Sequence, residues 1–164
     1  MKRAVTSNLL QHLSAIDEDC IGLDLIVSFI KMSGFRRIQP ILQQAVSLGL
    51  PVRILTSTYM NITDPAALLA LYDLLGDNSV RLYNGSSPSF HPKAYFFKYK
   101  IKPSAIFVGS SNISETALTR GVEWNYEVNA AIDPVSYQIF ADTFDHLYDH
   151  EAYPLSHDII VDYR

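Results

Sequence analysis

Residues 21–30 read IGLDLIVSFI, and the fold turns on how this run is taken. It is apolar and β-branched almost without a break, the pattern of a strand buried on both faces inside a helix-covered sheet. The next stretch, FRRIQPILQQAVSLG at 35–49, changes period: Phe35, Ile38, Ile41, Leu42, Ala45, Val46 and Leu48 fall on helical spacing, and Gly49 supplies a stop. Pro40 is expected in the early turns of this helix, where a missing N–H costs least. PVRILTST at 51–58 reads as a second buried strand. DPAALLALYDLLG at 64–76 reads as a second helix, with Asp64 as N-cap, Pro65 at the first position and Gly76 at the end. SVRLYN at 79–84 gives a third strand before the loop NGSSPS. A strand-helix-strand-helix-strand rhythm implies right-handed crossovers and parallel pairing.

Working outward, KAYFFKYK at 93–100 and SAIFVG at 104–109 read as strands. ISETALTRG at 113–121 is a short helix capped by Ser114, and EWNYEVNAAI at 123–132 returns as a strand. DPVSYQIFADTFDHLYDH at 133–150 opens on an Asp-Pro cap and holds helical spacing to its end. The tail EAYPLSHDIIVDYR is compatible with docking on the sheet or with the start of something larger. The expected class is α/β, a mixed, largely parallel β-sheet flanked by helices. With 164 residues and 48% apolar content there is material for one full core and not two, so residues 1–164 are expected to form a single domain, either by itself or as an excised part of a longer chain.

Composition narrows the partners. A net charge of −4 gives no global basic signature, so any affinity for phosphate must be local. The lone Cys20 excludes an intramolecular disulfide and a multi-cysteine zinc site, which fits a cytoplasmic, reducing setting. The opening segment lacks the apolar run of a signal peptide, and nothing approaches the roughly 20 apolar residues of a membrane span, so no membrane partner is expected.

The chemistry-bearing residues come in three pieces: His91-Pro92-Lys93, Gly109-Ser110-Ser111-Asn112 and Glu123. Two residues apart at the head of a strand, His91 and Lys93 share a face. Ser110 and Asn112 follow a buried strand in a glycine-initiated turn, where amides and short polar side chains can meet an oxyanion. Such a turn outside the carboxyl end of a strand is where open α/β sheets bind ligands.

These pieces, FHPKAYFF and GSSNISETALTRGVEWN, preceded by LIVSFIKMSG and RILTSTYMNITDP, resemble the phospholipase D superfamily over roughly residues 20 to 130. More narrowly they are similar to the single-motif domain found beside bacterial superfamily II helicases and, more distantly, to some restriction endonucleases. The resemblance implies a metal-independent phosphodiesterase or endonuclease acting on DNA rather than RNA, with no cofactor. His91 would attack phosphorus, Lys93 and Asn112 would hold the non-bridging oxygens, Ser110 would add a hydrogen bond, and Glu123 would orient His91. The leaving oxygen needs a second histidine as acid. His12, His146, His150 and His157 each lack a lysine two residues on, so the second half-site is expected from a homodimer. The other reading is a silent nucleic-acid-binding module that positions a helicase or ATPase partner, or serves a restriction system. A phospholipid-processing role is disfavoured by the lack of a membrane-docking stretch or a second motif.

Two departures stand out. The superfamily pattern often places an aspartate five residues beyond the lysine, where this chain has Lys98, and the connection to the Gly-Ser turn is longer. That insertion carries Lys98, Lys100 and Lys102, a local basic fringe suited to phosphates. Asp142, His146 and His150 share one helix face at metal-ligand spacing, but a solvated, mixed-charge face accounts for them as well. Arg36 and Arg37 read as a solvated pair, Trp124 as core beside the site, and Tyr59 and Met60 as candidates for its mouth.

Overall fold

A computed structural model describes residues 3–13 and 16–164. The four other positions, part of the opening segment, lie outside the described residues. Strand β1 (Arg3–Val5) is followed by β2 (Cys20–Ile26), α1 (Met32–Ser47), β3 (Val52–Thr56), α2 (Pro65–Leu75), β4 (Val80–Tyr83), β5 (Ala94–Tyr99), β6 (Ala105–Gly109), α3 (Glu115–Leu118), β7 (Asn125–Asn129), α4 (Pro134–His150), β8 (Ala152–Pro154) and α5 (His157–Tyr163). They build one eight-stranded sheet in the order β1-β7-β6-β5-β2-β3-β4-β8.

The sheet is mixed and flanked by helices, as expected. Its parallel part is narrower than a largely parallel sheet: β2 pairs parallel with β3 and β3 with β4, and every other ladder is antiparallel. The physical reason lies in the second half of the chain: the few residues between β5 and β6 allow only a hairpin, and the longer β6–β7 connection, which carries the four-residue α3, returns β7 antiparallel beside β6.

Burial explains the sequence pattern strand by strand. On one face Leu23, Leu25, Ile54, Tyr95, Phe97 and Phe107 pack under Phe35, Ile38 and Leu42 of α1, Leu68 and Leu71 of α2, and Ile160 of α5. On the other face Ile26, Leu55, Phe96, Ile106 and Val128 pack under Phe144 and Tyr148 of α4. Central strands therefore bury both sets of alternating side chains and read as continuous apolar runs.

Local signals account for most element ends. Ser114 accepts from the Ala117 N–H at 3.2 Å, and Asp133 from the Ser136 N–H at 3.0 Å, as N-caps do. Asp64 sits before Pro65 but does not cap with its side chain. Its carboxylate instead accepts from the Met32 N–H at 2.8 Å and pairs with Lys31 at 3.3 Å, tying the start of α1 to the start of α2. Helix α1 begins three residues earlier than its apolar spacing suggests, because Gly34 lies against α3's entry: a Cβ there would stand 2.3 Å from the Ile113 carbonyl carbon. Pro40 consequently falls in the helix interior rather than its first turns, on the exposed side. The tail docks, with β8 antiparallel on β4 and Tyr163 donating to the Thr63 carbonyl at 2.6 Å. Among the described residues no helix is long and apolar enough to cross a membrane.

Candidate active site

Strands β2, β3, β4 and β6 all run toward the same end of the sheet, and β5 and β7 start from it. That end collects His91 and Lys93 just before β5, the 109–112 turn just after β6, and Glu123 just before β7. The histidine and lysine lie in the irregular segment ahead of β5 rather than inside the strand. They are in contact all the same: Lys93 Nζ lies 3.1 Å from His91 Nδ1 and donates to the His91 carbonyl at 2.8 Å. The Gly109 N–H donates to the Lys93 carbonyl at 3.1 Å, which seats the turn beside the lysine.

Glycine is required at 109 by a close approach, since a Cβ would fall 2.1 Å from the Trp124 carbonyl oxygen. Beyond it the Ser110 N–H donates to that carbonyl and the Ser110 hydroxyl accepts from the Trp124 N–H, both at 3.0 Å. The same hydroxyl donates to the Glu123 carboxylate. Asn112 is buried, and its Oδ1 accepts the N–H groups of Ser28 at 2.9 Å and Phe29 at 3.1 Å, just past β2. With the carbonyl oxygen spent on the backbone, the amide orientation is fixed and the Nδ2 donors are left for a ligand.

Below the turn lies a polar floor that sequence reasoning did not reveal. Tyr95, fully buried in β5, donates its hydroxyl to the Ser111 carbonyl at 2.8 Å, and Asn125 Nδ2 donates to Ser111 Oγ at 2.9 Å. Burial pushes the Tyr95 phenol well up, and the negative charge of Glu123 adds to it, so Tyr95 stays a donor. Burial pushes the Lys93 ammonium below the ordinary lysine value, while Glu123 pulls it back up. Glu123 is thus electrostatically coupled to both residues. Its hydrogen-bond partner among the described residues is Ser110 and not His91, whose Nδ1 faces Lys93 instead. The orienting bond expected between Glu123 and His91 is not made in this arrangement.

Other sequence candidates fall elsewhere. The hairpin carrying Lys98, Lys100 and Lys102 joins β5 to β6 at the opposite end of the sheet, a strand length of roughly 20 Å away. Lys98 there is an ion-pair partner of buried Asp24, and Lys102 pairs with Asp17, so the fringe is largely neutralised and remote from the site. Trp124 is not core: 73% of it is exposed. Its carbonyl and N–H bond to Ser110, which turns the indole outward. Asp142 accepts from Gln138 at 2.7 Å, and His146 lies 3.8 Å from Glu151 on the exposed side of α4. Arg37 pairs with Glu115, whose carboxyl is held below its usual range chiefly by Arg37, with Arg120 contributing.

A histidine-lysine pair beside an asparagine-bearing turn, at the carboxyl end of a mixed sheet, is an anion-binding α/β arrangement. Residues 23–148 match the family described as cardiolipin synthase, PLD-like domain, and with more than half of the 164 residues matched the chain belongs to this phospholipase D-like family. Among solved structures it is similar to Nuc, a phospholipase D family member from Salmonella typhimurium, at 16% identity and TM-score 0.66, over 94% of this chain and 99% of that one. It is also similar to NucT from Helicobacter pylori, at 13% identity and TM-score 0.64, over 90% of this chain and 96% of that one. The polyphosphate kinase of Porphyromonas gingivalis matches at 16% identity and TM-score 0.61, over 92% of this chain but 26% of that one. No curated protein matches. These likenesses show the fold, and family membership supports phosphodiesterase-type chemistry at the site.

Proposed function

We propose that the chain is a metal-independent phosphodiesterase that cleaves DNA through a phosphohistidine, at a site completed by a second copy of itself. The observation that carries this reading is the 3.1 Å contact of Lys93 Nζ with His91 Nδ1, at the sheet end that also carries Asn112, whose Oδ1 is taken by two backbone N–H groups. A phosphate at this place would take two of its oxygens to the Lys93 ammonium and the Asn112 amide, where charge grows in the transition state. Nitrogen and oxygen donors suffice for that, without a Lewis acid.

An ammonium that donates to Nδ1 leaves the imidazole proton on Nε2. Attack through Nε2 therefore needs Lys93 to move to the phosphate oxygens and the proton to move to Nδ1, where Glu123 accepts it once released from Ser110. The Nε2–P bond forms as the P–O bond breaks, and the leaving oxygen takes a proton from the partner's His91. Water then attacks the phosphohistidine: its O–P bond forms as the Nε2–P bond breaks, the partner's His91 takes a proton from the water, and the second product is released.

Two surface features support the dimer and the substrate. Val122 and Trp124, 92% and 73% exposed, flank Glu123 on either side. Trp124 lines an apolar hollow of about 350 Å³ together with Ala4, Val108 and Tyr126. Large apolar side chains held in solvent next to a half-complete site mark a surface that a second copy covers. Arg36, exposed on α1, and Arg120 beside the Arg37–Glu115 pair supply local cations for the phosphate backbone of DNA. A helicase or other ATPase partner would deliver that strand.

The test is cleavage of end-labelled DNA in excess chelator by the wild-type protein and by His91→Ala. Product formed by the first and lost by about a thousandfold or more in the second supports the reading. Equal cleavage by both overturns it, and binding without product leaves a targeting module.

A further inference from the structure

We propose that the cleft over the carboxyl ends of β3 and β4 is a nucleoside subsite, in which the ring of Tyr59 stacks on a nucleobase of the substrate whose phosphate His91 engages. The proposal rests on the phosphodiesterase reading above and names one group its substrate carries.

The cleft is a cavity of about 250 Å³, with Ser57, Thr58, Tyr59, Tyr83, Asn84 and Phe90 in its lining. It abuts the reacting end of the site along two routes. Phe90 directly precedes His91 in the chain. Ser57 Oγ donates to the Ser28 carbonyl at 2.8 Å, while the Ser28 N–H donates to Asn112 Oδ1 at 2.9 Å. One residue, Ser28, thus separates the turn that meets the phosphate from the floor of the cleft.

Its chemistry is selective. Every residue lining the cleft is uncharged, and hydroxyl, amide and aromatic groups predominate. Without a cation it has no grip on a second phosphate, and with so many polar groups it is a poor host for an acyl chain. A flat, neutral group with several hydrogen-bonding edges fits, which is the description of a nucleoside.

The aromatic groups are prepared for unequal tasks. Tyr83 stacks on Phe90 with ring centroids 4.5 Å apart and accepts from the Ser87 N–H at 3.2 Å, so it forms a wall. Tyr59 is 48% exposed, and its hydroxyl has no hydrogen-bond partner among the described residues. Past it the backbone takes left-handed φ twice, at Met60 (55°) and Asn61 (54°), conformations that cost a non-glycine residue about 1 kcal/mol or more each. The bend is held by the Asn61 N–H on the Thr58 carbonyl at 3.0 Å and by Thr63 Oγ1 on the Ser57 carbonyl at 2.7 Å. A chain that accepts this strain to keep a tyrosine ring in solvent at the rim of a polar cleft has built a stacking platform.

The experiment compares thymidylyl-thymidine, which carries a base on each side of its phosphate, with the same dinucleotide made from abasic tetrahydrofuran residues, which carries none. Tyr59→Ala should raise KM for the base-bearing dinucleotide about tenfold and leave kcat/KM for the abasic one within about twofold. Tyr59→Phe, which keeps the ring, should behave as wild type on both. Equal losses on the two substrates, or no loss on the base-bearing dinucleotide, would overturn the subsite. If wild type turns over neither substrate, the phosphodiesterase reading fails separately. Calorimetric affinity for the base-bearing dinucleotide then decides the subsite alone: about tenfold weaker binding by Tyr59→Ala supports it, and unchanged binding sinks it.

Discussion

Lys93 is the residue of the proposed site whose charge state its surroundings perturb. Its ammonium bridges the His91 ring and carbonyl, and burial disfavours its charged form while Glu123 favours it. The net shift is downward from 10.5. Because the proposed chemistry needs the ammonium, activity should be present below the lowered pKa and lost as pH rises through it. We therefore expect an alkaline limb in kcat/KM that falls below the ordinary lysine range. Lys93→Arg keeps its charge throughout this range, so whatever activity it retains should lack that limb. A limb at the same pH in both proteins would assign the titration to another group. That Lys93, Ser110 and Asn112 gather at one end of the sheet was legible in the sequence, since each stands at a strand end in a short polar motif. The pairing of Glu123 with Ser110 was not, because it depends on which way two side chains turn in a crowded corner.

At the scale of elements, β2 is held to its neighbours by more than its ladders. Asp24, 3% exposed, accepts from Nε and Nη2 of Arg53 in β3, each at 2.7 Å, and Lys98 from β5 completes the set. Arg53 lies under α4, with its guanidinium 4.9 Å from the Phe144 ring centre and 2.9 Å from Asp145. The family's aspartate is absent at 98, and the lysine there joins this triad, so a structural device stands where the sequence showed a departure. Asp24→Asn would leave two cations facing a neutral amide. The cost should be about 3 kcal/mol, the low end for breaking a buried pair, because the Arg53 and Lys98 side chains remain 28% and 31% exposed. Urea unfolding followed by circular dichroism measures it, and a change within about 0.5 kcal/mol would remove the triad from the stability account. The order of elements could be read from apolar period and caps. The early start of α1 could not, since Gly34 belongs to that helix for a tertiary reason, its contact with the Ile113 backbone.

For the whole molecule, the decisive matter is the proposed pairing of this histidine site with that of a second copy. An 18.5 kDa chain that dimerises through the surface around Trp124 should sediment at twice its mass at micromolar concentration. Trp124→Lys places a charge in that surface without disturbing Trp124's backbone bonds to Ser110. It should give a folded monomer with an unchanged circular dichroism spectrum and cleavage reduced at least about tenfold. A wild-type protein that is monomeric yet active, or a Trp124→Lys protein that remains dimeric, would separate the exposed indole from assembly. Net charge pointed away from indiscriminate DNA binding, and the structure sharpens this by neutralising much of the β5–β6 lysine fringe and setting it at the far end of the sheet.

What the sequence by itself determined was the succession of strands and helices and the three motifs, because period, caps and strand-end turns are local properties of the chain. Three matters waited on tertiary structure: that parallel pairing stops at β2–β3–β4, that Trp124 faces solvent, and that the neutral cleft beside Tyr59 adjoins the phosphate turn through Ser28. Each depends on which distant segments meet, and contacts between residues as far apart as Ser28 and Asn112 leave no mark in either one's neighbourhood of the sequence.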